Sequence, residues 1–316
     1  MIKTLTLNPA IDKTVVVSSF TIGEVNRISS VRLDAGGKGI NVARVLRRLG
    51  LPVLAVAPVA GSSGRFLAGR LAEENIPCAL VEVAGESRTN LKVVDPVFGT
   101  HTDINEPGPA LSPQDLDGLA KRLLDDLEPG DVVVFSGSLP AGVSTSLYGD
   151  WISRAKTRGA FTVLDADGRP FAEGLSGRPD LVKPNQRELE AWSGRTLASD
   201  SDLLAAVAEL RSAGAASVAV SLGSEGAWLI TAAGTWRAPG IRVEAQSTVG
   251  AGDAFLAALT GALTSGKRPT EALAAAVATA TASVVKPGTG SGDPADIERF
   301  LGRVSVRQMI SKEKAK

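Results

Sequence analysis

Apolar positions along the chain gather in short β-branched runs, separated by longer stretches with helical spacing. "VLAVAPVA" precedes "SGRFLAGRLAEENI", "DVVVFSGSLP" precedes "STSLYGDWISRAKTRG", and "FTVLDAD", "DLVKP" and "SVAVSLG" follow. Runs that are apolar at every position predict strands buried on both faces, and helices between them predict parallel neighbours. The pattern therefore reads as an α/β fold with a mostly parallel sheet covered on both sides.

Two stretches break this rhythm. Residues 12–35 ("DKTVVVSSFTIGEVNRISSVRLDA") and 88–106 ("RTNLKVVDPVFGTHTDINE") alternate apolar and polar positions with no helix between them, and so predict antiparallel strands. Neither can form a core alone, which predicts a small β-sheet lid inserted into one domain spanning residues 1–306. Residues 307–316, ending in "SKEKAK", read as a C-terminal tail. No internal repeat is present.

Composition narrows the function. Of 316 residues, 44% are hydrophobic and 22% charged, enough to bury a full core. Lysine plus arginine equals aspartate plus glutamate at 34 each, so no overall field draws the chain to nucleic acid or an anionic membrane, and any anion site must be local. One cysteine, Cys78, excludes an internal disulfide and a multi-cysteine metal site. "MIKTLTLNPAID" lacks the order of a signal peptide, and "EALAAAVATATASVV" is too short and threonine-rich to span a bilayer. A cytoplasmic location is expected.

The chemistry concentrates in glycine-rich turns. In "GAGDAFLAALTGAL", Gly250, Ala251 and Gly252 precede an apolar helical pattern, so their amides form a helix start that attracts anions, with Asp253 directly behind. The alternative is that Asp253 only caps the helix. "GTGSGDPADIERF" repeats the spelling at Gly290 to Asp293, but Pro294 follows, and there capping is the expected role. Neither a Walker A pattern nor a dinucleotide Gly-x-Gly-x-x-Gly turn occurs.

"DAGGKGINVARVLRRLG" sets Gly37 and Lys38 before an amphipathic helix with Asn41 in its first turn, which suits ligand contact or simply a tight turn. "LVKPNQREL" places Asn185 and Glu188 three apart, the spacing of a capping box. "SLGSEGAWLI" reads as a hairpin turn.

Taken in order, "LNPAID", "GGKGINVA", "SRTN", "SGSLPAG", "KPNQREL", "SLGSEGA" and "STVGAGDAF" resemble the ribokinase-like (PfkB) sugar kinases, from residue 4 to about residue 301. The resemblance implies a three-layer αβα fold with a β lid over the sugar. It implies that Asp253 is the catalytic base and that the amides of Gly250, Ala251 and Gly252 form the anion hole. Asp12, Gly37, Asn41 and Ser138 match sugar-contacting positions. Arg27, Lys38 and Arg88 match positions that hold a phosphate already on the substrate. Lys183, Asn185, Ser221, Gly223, Gly226 and Thr248 match the ATP site, and Glu188 matches the position that holds Mg²⁺ through water.

Lys38 and "SRTNLKV" resemble the branch that phosphorylates fructose 1-phosphate at its 6-hydroxyl, giving fructose 1,6-bisphosphate. Branches acting on tagatose 6-phosphate or fructose 6-phosphate are the alternatives, and a non-catalytic sugar-phosphate sensor is a reading from a different class. Two departures stand out. "DADG" (Asp165–Gly168) replaces residues that often carry hydroxyls, and Lys286 sits where some relatives keep an uncharged residue beside K⁺, a further candidate ion. His101 is expected at an exposed edge, and the lids of relatives imply a homodimer.

Overall fold

The computed structural model describes residues 1–286 and 292–309. The chain opens with β1 (Ile2–Thr6), β2 (Ala10–Val16), β3 (Ser30–Gly36), α1 (Lys38–Arg48) and β4 (Val53–Val59). α2 (Gly61–Glu73), β5 (Cys78–Glu82), β6 (Arg88–Asp95), β7 (Thr100–Asn105) and α3 (Pro113–Leu124) follow. Next come β8 (Val132–Ser136), α4 (Leu147–Thr157), β9 (Phe161–Asp165), α5 (Gly168–Gly174), β10 (Leu181–Val182), α6 (Gln186–Ser193), α7 (Asp200–Ser212) and β11 (Ser217–Ser221). The last part holds β12 (Ala227–Thr231), β13 (Gly234–Ala238), α8 (Ala251–Thr264), α9 (Pro269–Val284), α10 (Pro294–Leu301) and β14 (Arg307–Met309).

The runs that are apolar at every position form the centre of a ten-stranded sheet, ordered β14-β13-β12-β11-β10-β9-β8-β1-β4-β5. From β5 to β11 every pairing is parallel, and β12 to β14 close the other edge antiparallel. Leu119, Tyr148, Trp151, Phe171, Leu189 and Leu203 from α3–α7 pack on one face. Ile40, Leu46, Phe255, Leu259 and Leu273 from α1, α8 and α9 pack on the other. Each such side chain removed from water contributes roughly 1.5–3 kcal/mol, which makes the three-layer arrangement the stable one.

The second sheet is ordered β3-β2-β6-β7 and draws its strands from the two alternating stretches. It is not wholly antiparallel. β2–β3 and β6–β7 are antiparallel, but β2 and β6 run parallel from Ala10 opposite Arg88 to Val16 opposite Val94. Between β2 and β6 the chain makes a full α/β excursion, so nothing forces the hairpin geometry that adjacent strands obey. Alternation along a strand reports one buried face, not strand direction.

Arg307–Met309, at the start of the stretch read as a tail, pairs with β13 and adds the outermost strand; residues 310–316 lie outside the described residues. Pro294 takes the first position of α10 as expected. Asp293 sits at the cap position but caps no amide, because its carboxylate pairs with Lys286 at 2.7 Å. Gly290 and Ser291 lie outside the described residues.

Candidate active site

The parallel strands deliver their carboxyl ends to one place: Asp165 ends β9, Lys183 follows β10 and Ser221 ends β11. A crevice at that end is the usual ligand site of an open α/β sheet. Two cavities open there. One, of about 630 Å³, lies under the small sheet and is lined by Asp12, Gly37, Lys38, Asn41, Arg88 and Asp253 among others. The other, of about 550 Å³, is lined by Ser221, Gly223, Gly226, Thr248 and Gly252 with apolar Ile241, Val243, Phe255 and Val277. The first turn of α8 is the wall they share, with Gly250 and Asp253 facing the first cavity and Ala251 and Gly252 the second.

That turn is built to leave amides free. Gly250 holds φ 78°, in the left-handed region that glycine tolerates, and no side chain caps the helix behind it. Gly252 and Asp253 stand second and third in the helix, where backbone N–H groups have no intrahelical acceptor. Asp253 is therefore not the cap residue, and the capping alternative is excluded by its position. Its carboxylate Oδ2 instead accepts the side-chain N–H of Asn41 at 2.8 Å. Burial first, then the charge of Asp165, push its pKa up to about 6, against the Asn41 hydrogen bond and the ammonium groups of Lys38 and Lys183. A carboxyl group in that range takes up and releases protons near neutral pH.

Asn41 is itself held in orientation. Arg44, one turn along α1, donates from Nη1 to Asn41 Oδ1 at 2.7 Å and from Nη2 to the carbonyl of Ala35 at 2.7 Å, while its Nε pairs with Glu74 at the C-cap of α2. With its oxygen taken by Arg44, the amide of Asn41 presents its NH₂ group to Asp253.

Asp165 is the anion of the site. It is 1% exposed, and Lys38 and Lys183 share its Oδ1 at 3.3 and 3.4 Å. Burial alone would raise its pKa, but the two ammonium groups outweigh that and hold it below the usual carboxylate range. Burial likewise disfavours the charge on Lys38, and Asp165, Glu188, Asp253 and Asp167 together overcome it, so the ammonium holds its proton more tightly than an ordinary lysine. Glu188 stands 3.7 Å from Lys38 and completes a capping box, accepting the Asn185 N–H at 2.8 Å while Asn185 Oδ1 accepts the Glu188 N–H at 2.9 Å.

On the small sheet, Asp12 accepts from Asn90 at 3.1 Å and lies against Gly36, where a Cβ would come within 2.0 Å of Asp12 Oδ2. Burial raises the pKa of Asp12, with Asn90, Arg88 and Arg44 opposing and Asp34 assisting. Arg88 donates to the carbonyls of Asn8 at 3.1 Å and Glu106 at 3.2 Å, which fixes it at the rim.

A donor helix start, a buried carboxylate beside it and two flanking lysines between a polar and an apolar cavity suit phosphoryl transfer from a nucleotide. The pfkB family carbohydrate kinase model matches residues 5–296. The chain belongs to the pfkB family of carbohydrate kinases. Over 309 residues it is 37% identical to a 1-phosphofructokinase of Rhodobacter capsulatus, with 98% of each chain covered. Over 265 residues it is 42% identical to a 1-phosphofructokinase of Xanthomonas campestris pv. campestris, covering 82% of this chain and 83% of that one. The crystal structure of phosphofructokinase-2 from Escherichia coli in complex with potassium superimposes with a TM-score of 0.90 at 34% identity, covering 96% and 98%.

For this pfkB-family chain, the structure brings Asp12, Gly37, Lys38, Asn41, Arg88, Gly250 and Asp253 to one cavity. Ser221, Gly223, Gly226, Thr248, Ala251 and Gly252 border the other, and Lys183 Nζ lies 3.6 Å from where a Cβ on Gly252 would be. Lys183, Asn185 and Glu188 line neither cavity but join the site through Asp165, Lys38 and each other's capping box, and two further candidates stand apart. Arg27 is exposed on the β2–β3 connection and lines neither cavity. Ser138 accepts from Asn8 at 3.4 Å, also outside both linings. Lys286 pairs with Asp293 and Asp296 at 2.7 and 3.0 Å. His101 is exposed on the edge strand β7. Asp165, noted only as the head of "DADG", and Arg44 were assigned no role from the sequence. The available signal for Asp165 was a carboxylate ending an otherwise apolar strand; Arg44 had none, since its partners come from three elements.

Proposed function

We propose that this chain transfers the γ-phosphoryl group of ATP to the 6-hydroxyl of fructose 1-phosphate, giving fructose 1,6-bisphosphate and ADP. The observation that carries this reading is the first turn of α8, which separates a cavity rich in charged and polar side chains from an apolar one and presents free amides at their junction. The purine lies in the apolar cavity and the phosphates reach the amide of Gly252, the Ala251 N–H being held by the carbonyl of Thr248 at 3.4 Å. Asp253 Oδ2 is engaged by Asn41, which leaves Oδ1 to take the proton of the acceptor hydroxyl. Lys38 and Lys183 balance the charge spread over the transferred group. Asp12 and Asn41 orient the sugar, and Arg88 holds the phosphate already on it, a cation that a neutral sugar would not need.

The donor set fits Mg²⁺. Asp165 Oδ2 is buried without a hydrogen-bond partner, and Glu188 offers a second hard oxygen. Magnesium keeps most of its waters and asks for one or two carboxylates, so the lack of a three-carboxylate cluster among the described residues agrees with it. When bound with the nucleotide it would neutralise phosphate charge.

The protein acts as a cytoplasmic homodimer in this reading. Val31, Leu33 and Ile104 share one face of the small sheet and remain 53%, 39% and 54% exposed, beside Ile22 and Val25 on the same connection as Arg27. A second copy covering this face would also bring Arg27 into an assembled interface.

A second reading, phosphorylation of fructose 6-phosphate, is favoured by the likeness to phosphofructokinase-2. A coupled ADP-release assay over fructose 1-phosphate, fructose 6-phosphate, tagatose 6-phosphate and fructose separates them. The highest kcat/KM is expected with fructose 1-phosphate. A preference for unphosphorylated fructose overturns the role given to Arg88.

A further inference from the structure

The parallel strands have a second rim at their amino ends, away from Asp165, Lys183 and Ser221. There Asp180 leads into β10 and Ala216 into β11, and a cavity of about 560 Å³ opens, lined by Lys156 of α4, by Arg178 and by Arg211 of α7. Its walls meet at Gly214, where a Cβ would lie 2.2 Å from the carbonyl oxygen of Leu175, so the turn after α7 rests directly on the turn that carries Arg178. Arg178 holds φ 56°, a left-handed conformation uncommon outside glycine.

The charges here are unbalanced. Asp180 pairs with Lys156, and its other oxygen is taken by the backbone N–H and hydroxyl of Thr162, both at 2.8 Å. Among the described residues neither Arg178 nor Arg211 has a side-chain acceptor, and Arg211 Nε is buried from solvent with no partner at all. Arg178 is exposed and Arg211 half-buried, so it is the Arg211 Nε that is desolvated, and a buried donor without an acceptor is costly and rarely left in natural structures. Two guanidinium forks and an ammonium on a floor of alanine and glycine match the geometry and charge of a phosphate group.

We propose that this cavity is a second, non-catalytic binding site for a small phosphate-bearing anion, held by Arg178, Arg211 and Lys156. Isothermal titration of inorganic pyrophosphate into the full chain, with the nucleotide cavity saturated by ADP, tests it. Saturable binding is expected in the wild type, weakened about tenfold or more by Arg178→Ala/Arg211→Ala, with kinase turnover unchanged because neither residue borders the catalytic cavities. Identical isotherms for the two proteins overturn the proposal. Should the double variant fail to fold, Lys156→Glu gives the same readout, and an unchanged isotherm there overturns it equally. Parallel titrations of inorganic phosphate and glycerol 3-phosphate tell the sources apart: tighter binding of the ester points to a phosphorylated metabolite, equal binding to free phosphate.

Discussion

Asp253 combines two demands that pull against each other. In its proposed role as base it must be deprotonated to receive the acceptor proton, yet its burial and the nearby Asp165 favour the protonated form. Its folded pKa of about 6 lies above the ordinary 3.8, so the native state holds this proton more tightly than the unfolded chain. Its contribution to stability is complete below 3.8 and is lost as pH rises through about 6. Asp253→Asn is therefore expected to lower kcat by about 10³-fold. At pH 8 the same variant should be more stable to denaturant by on the order of 2 to 3 kcal/mol. A variant both inactive and destabilised would contradict the burial argument. In the wild type, kcat/KM should fall about tenfold per pH unit below about 6. Arg44 acts through Asn41, so Arg44→Met should release the amide and move this acid limb upward by about one pH unit. Asn41→Leu should move it similarly, and a profile unchanged in both would remove Arg44 as a positioning residue.

At the scale of elements, one feature serves two purposes without conflict. Glu188 caps the start of α6 and also faces Lys38. Glutamine satisfies a capping box as well as glutamate, so Glu188→Gln should change stability by no more than about 0.5 kcal/mol. The Mg²⁺ concentration for half-maximal rate should rise about tenfold, since a neutral amide is a poor partner for a hard cation. Loss of stability with an unchanged magnesium titration would leave only the capping role. Elements were the most legible level of the chain. Local period and turn chemistry are written in neighbouring residues, so β4, α2, β8, α4, β9 and β11 fall where the apolar runs and helical spacing put them. The small sheet was legible as strands but not as a pairing scheme, because the partner of β2 is chosen by packing across a distant segment.

The molecule as a whole carries no net formal charge, so its cations act by placement, with Lys38, Lys183 and Arg88 gathered at the cleft. Shape follows the same logic in the small sheet, whose one face lines the cavity while the other leaves Val31, Leu33 and Ile104 exposed. Leu33→Asp should shift the sedimentation profile towards monomer and raise KM for the sugar phosphate, since an ionised carboxylate cannot be buried unpaired in an apolar contact. A sedimentation profile identical to wild type would overturn the proposed pairing through this face.

The order of the motifs and the alternation of strand and helix were set by the amino-acid sequence itself. So was the glycine-rich helix start at Gly250 to Gly252, because each depends on residues a few positions apart. Only tertiary structure joined Asn41 to Asp253, 212 positions away. It likewise made Asp165 the shared anion of two lysines, ran β2 parallel to β6 and left Arg27 outside its own cavity. These outcomes depend on which buried charges find partners once the layers close. That balance of desolvation against pairing exists only when distant segments share one low-dielectric space.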